Sequence, residues 1–227
     1  MFERIIELIG NEHFQSLSSA HVFLIGLGGV GGYTLEALVR SGIQTFTLCD
    51  FDVMEESNLN RQLLATSDNL GKLKVEEAKK RILAINPHCS VYLLSEHYKK
   101  EFWSRFDFSS YDFVIDACDD VFVKVEIIIR AMNQGVPIIT CMGTGNRIHP
   151  EFLKVSLLHQ TNYDPLSRKM RQLLRKVDEK YLDVPVVWSS EKTISSSSIG
   201  TLCPVPMVAG SYLANYVIHF ILNKEKK

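Results

Sequence analysis

His21-Val22-Phe23-Leu24-Ile25-Gly26-Leu27-Gly28-Gly29-Val30-Gly31 is the stretch that decides the fold. The five residues before Gly26 are too few for a helix and suit a short strand buried on both faces. The glycine run is a tight turn. Gly31 to Ser41, with Leu35, Leu38 and Val39 on one side, reads as a helix. Strand, glycine turn and helix in that order place backbone amides at the positive end of a helix, where a phosphate can sit. Gly26, Gly28, Gly29 and Gly31 are therefore candidate nucleotide-binding positions. Asp50 closes the next strand, Thr45–Cys49, about 20 residues on, where a carboxylate can accept hydrogen bonds from ribose hydroxyls.

Working outward, Leu73 to Ile85 has helical spacing at Val75, Ala78, Ile82 and Ile85. Val91–Leu94 and Phe113–Ala117 are a third and a fourth strand. Val121 to Asn133 is helical, and Val136–Cys141 is a fifth strand. Strands alternating with helices imply a parallel sheet with right-handed crossovers. After His149-Pro150 the pattern changes. Phe152–Leu158 suits an antiparallel strand, and Asp164-Pro165 starts a helix with Leu166, Met170, Leu173 and Val177 as its apolar stripe. Val184–Trp188 is another strand. The class is α/β, a Rossmann-like doubly wound, mainly parallel sheet with antiparallel C-terminal additions. We expect one domain over 1–227, with a nucleotide-binding half at about 20–142 and a substrate and dimer half at about 143–227.

The 227 residues are 46% hydrophobic and 22% charged, which excludes disordered, collagen-like and coiled-coil classes. A net charge of −1 gives no global electrostatic case for a polyanionic partner. Cys49, Cys89, Cys118, Cys141 and Cys203 form no CxxC pair, so no zinc-ribbon set is available and a reduced, cytoplasmic setting is expected. The start, MFERIIELIG, has no signal-peptide character. Thr193 to Leu222 carries no charged residue, but its helical part, about Met207 to Leu222, is shorter than the ~20 apolar residues a bilayer needs. A buried last helix, preceded by a mobile loop at Ser195–Ser198, is expected, with no membrane contact.

The residues after Asp50 narrow the chemistry. Asp50-Phe51-Asp52 is followed by Ser57-Asn58-Leu59-Asn60-Arg61-Gln62 and by Gly71-Lys72-Leu73-Lys74. Amide, guanidinium and ammonium donors thus gather beyond the nucleotide turn. A nicotinamide dehydrogenase needs no such cluster, whereas a triphosphate does. Asp116-Ala117-Cys118-Asp119 ends the fourth strand, at the edge that faces the ligand crevice in open α/β sheets. An acid there can hold magnesium against phosphates, although Asp119 or Asp120 can also cap the helix that begins near Val121.

Taken together, Gly-x-Gly-Gly-x-Gly, Asp-x-Asp, Ser-Asn-x-Asn-Arg-Gln, Gly-x-x-Lys and Asp-x-x-Asp resemble the ThiF/MoeB superfamily of ubiquitin-activating-enzyme-like adenylyltransferases, over about Phe2 to Asn223. The resemblance implies adenylation of a carboxylate with ATP and Mg2+. It implies that Gly26, Gly28, Gly29 and Gly31 cradle the phosphates and that Asp50 takes the ribose. Asn58, Arg61 and Lys74 would meet the triphosphate, with Asp52 and Gln62 in the same motifs, and Asp119 would bind the metal. Arg4, in Phe-Glu-Arg-Ile-Ile-Glu-Leu-Ile-Gly, matches an arginine that relatives insert into the other subunit's ATP site, which implies a homodimer.

Within the superfamily, the sulfur-carrier branches usually carry two CxxC pairs, and the ubiquitin-type branches need a large inserted cysteine domain. The second half instead resembles the tRNA threonylcarbamoyladenosine dehydratases. The matching stretches are Met142-Gly143-Thr144-Gly145-Asn146-Arg147-Ile148-His149-Pro150, Thr161-Asn162-Tyr163-Asp164-Pro165-Leu166 with Arg168 and Arg171, and Val187-Trp188-Ser189-Ser190-Glu191. Relatives usually read Gly-Ala-Gly and Asp-Pro in the first of these, where this chain has Gly-Thr-Gly and His-Pro. This branch implies ATP-dependent cyclisation of threonylcarbamoyladenosine in tRNA, with loss of water. Arg168, Arg171 and Arg175 share a helix face that tRNA phosphates can meet. The alternatives are an adenylyltransferase for a ubiquitin-like sulfur-carrier protein and an idle nucleotide-binding module; a sulfur-relay or accessory protein is a further partner that the resemblance leaves open. Cys203 reads as a buried structural cysteine, with a transient thioester as its alternative.

Overall fold

The computed structural model describes residues 1–96, 107–196 and 198–223. Two short helices, α1 (Glu3–Ile9) and α2 (Asn11–Ser19), precede the first strand. The strands are β1 (His21–Ile25), β2 (Thr45–Cys49), β3 (Ser90–Leu94), β4 (Phe113–Asp116), β5 (Ile138–Cys141), β6 (Leu153–Leu157) and β7 (Pro185–Ser189). Between and after them lie α3 (Gly31–Arg40), α4 (Lys74–Ile85), α5 (Val121–Asn133), α6 (Pro165–Arg175) and α7 (Pro204–Asn223). The seven strands form one sheet in the order β3-β2-β1-β4-β5-β7-β6. All pairings are parallel except β6 with β7, as the alternating pattern and the change after Pro150 predict.

Both sheet faces are covered. Val22 and Leu24 point to a core shared with Leu35 and Leu38 of α3, Ile82 of α4 and Leu213 of α7. Phe23 and Ile25, one residue out of phase, point to a core shared with Ile127 of α5 and Met170 of α6. The period-2 geometry of a strand sends neighbours to opposite faces, so β1 is apolar throughout.

Two expectations need correction. The last helix starts at Pro204 and spans 20 residues, so it is long and apolar enough to cross a membrane by length and composition. Prolines are tolerated in a first helical turn, where the missing N–H has no partner to lose. What argues for a core role is packing: Val205, Ala209, Leu213, Val217 and Ile221 are buried, and Thr34 Oγ1 of α3 donates to the Gly210 carbonyl at 3.2 Å. A Cβ at Gly210 would lie 2.6 Å from the Val30 carbonyl oxygen, so α3 and α7 cross in close contact. The second correction concerns α6, where Leu174, not Val177, is buried beside Met170 and Ser167, and Val177 is 58% exposed. The helix ends at Arg175, so the period does not carry on to Val177. The residues flanking the serine run are tied down: Asn146 N–H donates to the Gly200 carbonyl (2.8 Å), Ile194 N–H to the Asn146 carbonyl (2.9 Å) and Asn60 Nδ2 to the Thr201 carbonyl (3.3 Å). Ser197 itself lies outside the described residues.

Candidate active site

Parallel register brings three strand ends together. Ile25 pairs with Cys49 on one side and with Asp116 on the other, so Gly26, Asp50 and Ala117 leave the sheet side by side. The Gly26 amide donates to the Cys49 carbonyl at 2.9 Å, and the Ala117 amide to the Ile25 carbonyl at 2.8 Å. Gly26 has φ +85°, and a Cβ there would sit 2.6 Å from the Ala117 carbonyl carbon and the Cys118 nitrogen. A Cβ on Gly31 would sit 1.8 Å from the Gly26 carbonyl oxygen. The turn therefore admits only glycine at both positions.

Asp50 is buried beneath this turn. One carboxylate oxygen accepts the Leu27 amide (2.6 Å) and the other the Asp52 amide (2.9 Å). Burial pushes its carboxyl up, against the pull of the Lys74 charge and of those two amides. Lys74, at the start of α4, is buried and pairs with Asp52 at 2.8 Å. The Arg61 carbonyl oxygen would lie 3.3 Å from a Cβ on Gly29, so the Arg61 segment rests on the glycine turn. Among the described residues its guanidinium donates to the Ser57 carbonyl (2.6 Å) and to Asn60 Oδ1 (2.9 Å). Gln62 is buried, its Oε1 has no hydrogen-bond partner among the described residues, and its Nε2 would lie 3.8 Å from a Cβ on Gly28. An orphaned buried amide oxygen against a phosphate-type turn fits a ligand supplying a donor, such as a nucleoside. Asn58 Oδ1 accepts the Glu55 amide at 3.1 Å and its Nδ2 meets Ser57 Oγ at 3.3 Å, which shapes the turn that presents Arg61.

The alternatives left open for the two aspartates separate cleanly. Asp120 caps α5, accepting the Phe122 and Val123 amides at 2.8 and 3.1 Å. Asp119 is exposed at the same sheet edge. Among the described residues no group of three histidine, cysteine, aspartate or glutamate side chains could hold a metal. A single carboxylate suits magnesium, which keeps waters and binds mainly through substrate phosphates. Asp116 is unsuited to that task, being wholly buried on the Lys124 ammonium at 3.0 Å. Lys124 also donates to Thr140 Oγ1 (3.2 Å) and the Cys141 carbonyl (2.8 Å), while Asp116 accepts the Cys118 amide (3.1 Å). This network fixes the 117–120 loop. Sequence reasoning missed Lys124 because it belongs to no motif, although its i, i+3, i+4, i+7 spacing to Ile127, Ile128 and Ala131 puts it on the buried face of α5. Burial also pushes up the thiols of Cys118 and, to about 12, Cys141, so neither serves as a nucleophile.

The second half of the chain builds the adjoining wall. Arg147, wholly enclosed, pairs with Asp164, which also accepts the Ser167 amide at 2.6 Å and so caps α6. Arg147 donates further to the Ser189 and Glu191 carbonyls, each at 2.8 Å. The Glu191 carboxylate accepts the Ile148 and His149 amides at 3.1 Å. The three stretches that carried the dehydratase resemblance thus form one knot. Cys203 is not buried: it is partly exposed, and its sulfur lies 3.0 Å from the Tyr33 hydroxyl. Burial and that contact push the Tyr33 hydroxyl up to about 12. Of the three arginines on α6, Arg168 and Arg175 are exposed, whereas Arg171 turns back to the Thr161 carbonyl (3.0 Å) and hydroxyl. Arg171 is spent on holding its own loop and leaves the shared face. Arg4 is exposed on α1 and, among the described residues, forms no hydrogen bond or ion pair with the site.

The tRNA threonylcarbamoyladenosine dehydratase of Escherichia coli (strain K12) is 35% identical over 208 residues, 89% of this chain and 78% of that protein. The protein of the same name from Haemophilus influenzae is 41% identical over 175 residues, 77% of this chain and 67% of that protein. The crystal structure of the E. coli enzyme in complex with ATP superposes with a TM-score of 0.94 at 31% identity, covering 99% of this chain and 95% of that one. The model of the ThiF family matches residues 2–227, and the chain belongs to that family.

Proposed function

We propose that this protein is an ATP-dependent, adenylate-forming enzyme that dehydrates N6-threonylcarbamoyladenosine in tRNA. The observation that carries the reading is the convergence of the Gly26–Gly31 turn, Asp50, Arg61, Gln62 and Lys74 at one sheet edge, in a chain similar over most of its length to enzymes of that name. The substrate side chain ends in a threonine carboxylate. One carboxylate oxygen attacks the α-phosphorus of ATP and pyrophosphate leaves. The ureido group then attacks the activated acyl carbon and loses a proton, and AMP departs with the former carboxylate oxygen. The elements of water are removed and a ring closes.

The protein's part is to orient and to stabilise charge. The glycine turn offers amides to the phosphates and Asp50 accepts from the ribose. Gln62 Oε1 is free to accept from the nucleoside. Arg61 and Lys74 meet the negative charge of the triphosphate; Lys74 leaves Asp52 to do so. Asp119 would hold magnesium, which screens phosphate charge when bound. We place the reaction in a cytoplasmic homodimer that Arg4 completes from the partner, in keeping with an exposed Arg4 and a Leu8 that is 83% exposed on the same helix. tRNA phosphates would meet Arg168 and Arg175 on α6. In this reading 1–227 is one domain, its nucleotide-binding half (about 20–142) and its substrate and dimer half (about 143–227) sharing the one sheet.

The test is nucleoside mass spectrometry after incubation with ATP, magnesium and tRNA bearing threonylcarbamoyladenosine. Loss of one water, only with ATP, is expected; an unchanged nucleoside overturns the reading. In the same assay system, Gly31→Ala is expected to weaken ATP binding by about 5- to 150-fold, since the new methyl must displace the Gly26 carbonyl. Isothermal calorimetry checks it, and an unchanged affinity would remove the turn from the nucleotide site.

A further inference from the structure

We propose that Tyr163, with Lys192 beside it, is a stacking platform for an unpaired RNA base next to the reacting nucleoside; the inference deepens the dehydratase reading and rests on it for the identity of the RNA. Tyr163 has φ +53°, a left-handed conformation that bulky residues seldom adopt. The residue is 63% exposed, so burial does not offset that cost. Anchored residues flank it. Thr161 is buried and donates to the Leu158 carbonyl at 2.8 Å. Asp164 is buried, caps α6 and pairs with Arg147. The fold therefore holds a large aromatic ring out into solvent from a rigid corner.

Lys192 joins it from the other chain segment. Its Nζ lies 5.4 Å from the Tyr163 ring centroid, within cation–π range, so the ring face is reachable by a cationic or planar group. Lys192 follows Glu191, whose carbonyl accepts from Arg147 at 2.8 Å. One buried guanidinium thus positions both the ring and the cation. The corner also adjoins the reaction edge: Asp164 Oδ2 would be 3.6 Å from a Cβ on Gly143, just past the end of β5. From there α6 carries Arg168, Lys169, Arg175 and Lys176, all exposed. A phosphate backbone following these cations arrives at Tyr163. Single-stranded RNA is recognised in this way, by an aromatic face for a splayed base and a cation for its phosphate. An acidic protein or a lipid surface would use the cations and leave the strained ring without purpose.

The test uses Tyr163→Asn, since asparagine tolerates the left-handed backbone while removing the ring, alongside Tyr163→Phe and Lys192→Ala. Fluorescence anisotropy would follow binding of a labelled RNA stem-loop and of a fully paired duplex of the same stem. For Tyr163→Asn, stem-loop affinity is expected to fall about 5- to 150-fold, with duplex affinity and ATP affinity unchanged. Tyr163→Phe should stay within about twofold and Lys192→Ala should lose affinity in a salt-dependent way. Unchanged stem-loop binding by Tyr163→Asn overturns the platform, as does an equal loss on the duplex. In turnover, the Tyr163→Asn defect should fall on KM for tRNA and not on kcat. Because binding is read with unmodified RNA, the platform is tested even if the wild-type protein dehydrates nothing, which would defeat only the dehydratase reading.

Discussion

Arg61→Ala is expected to lower the rate of ATP-dependent dehydration by about 10²- to 10³-fold, the range for removing one preorganised donor from a developing charge. The fold should survive. Arg61 holds two local, surface bonds, to the Ser57 carbonyl and to Asn60, and neither links distant elements. Surface substitutions of that kind change stability by about 0.5 kcal/mol or less, roughly 1–2 °C for a chain of this size. Single-turnover nucleoside analysis and a thermal scan separate the two effects. Arg61→Lys should recover only part of the rate, because an ammonium lacks the planar fork that grips phosphate oxygens. A wild-type rate in Arg61→Ala would take Arg61 out of the site. Asp119→Ala should show the same pattern, loss of turnover in a folded protein, for an exposed side chain at the same edge.

Lys124→Met is expected to do the reverse, costing stability first. The Lys124–Asp116 pair is fully buried, and removing one partner leaves an uncompensated carboxylate in the core, facing the Thr140 hydroxyl and the Cys118 amide. Breaking such a pair costs about 3–5 kcal/mol, which for this size lowers the unfolding temperature by roughly 10 °C. The double replacement Lys124→Met with Asp116→Leu should recover much of that loss, since no unpaired charge remains. The pH dependence gives a second check. Burial pulls the Lys124 ammonium down, but the Asp116 carboxylate and the Cys118 and Cys141 thiols outweigh it and hold it above the usual value of 10.5. The folded state therefore binds the proton more tightly than the unfolded one. Its contribution is complete below about pH 10.5 and is lost as pH rises through the higher folded value. Chemical denaturation between pH 7 and 12 should show this alkaline loss in the wild type and not in Lys124→Met. Equal stabilities at pH 7 would sink the argument.

How much of this the sequence carried depends on range. A local argument settles β1, the glycine turn and α3, because a five-residue apolar run, positive-φ glycine and a 3.6-residue stripe each act within a turn or two of chain. Spacing alone also set Asp50 at the end of β2, and register then placed it beside Gly26. Asp120 and Asp119 stood as equal candidates for the cap, since adjacent aspartates look alike until one finds the Phe122 and Val123 amides. The last helix was misjudged in length because its first-turn prolines resemble a loop when their position relative to the helix is unknown. The α6 stripe slipped from Leu174 to Leu173 because two adjacent leucines satisfy the same period, and only the packing partner chooses between them. The sequence by itself determined the strand–turn–helix unit and the order of alternating elements, and it named the candidate nucleotide-binding side chains, because all of these readings depend on short-range geometry. Only the tertiary structure decided which charges are buried in pairs, Lys124 on Asp116 and Arg147 on Asp164, and that Arg171 turns inward while Tyr163 stands out. The partners of those groups lie up to 44 residues away or on another element, and no periodicity in one segment encodes what the next one brings against it.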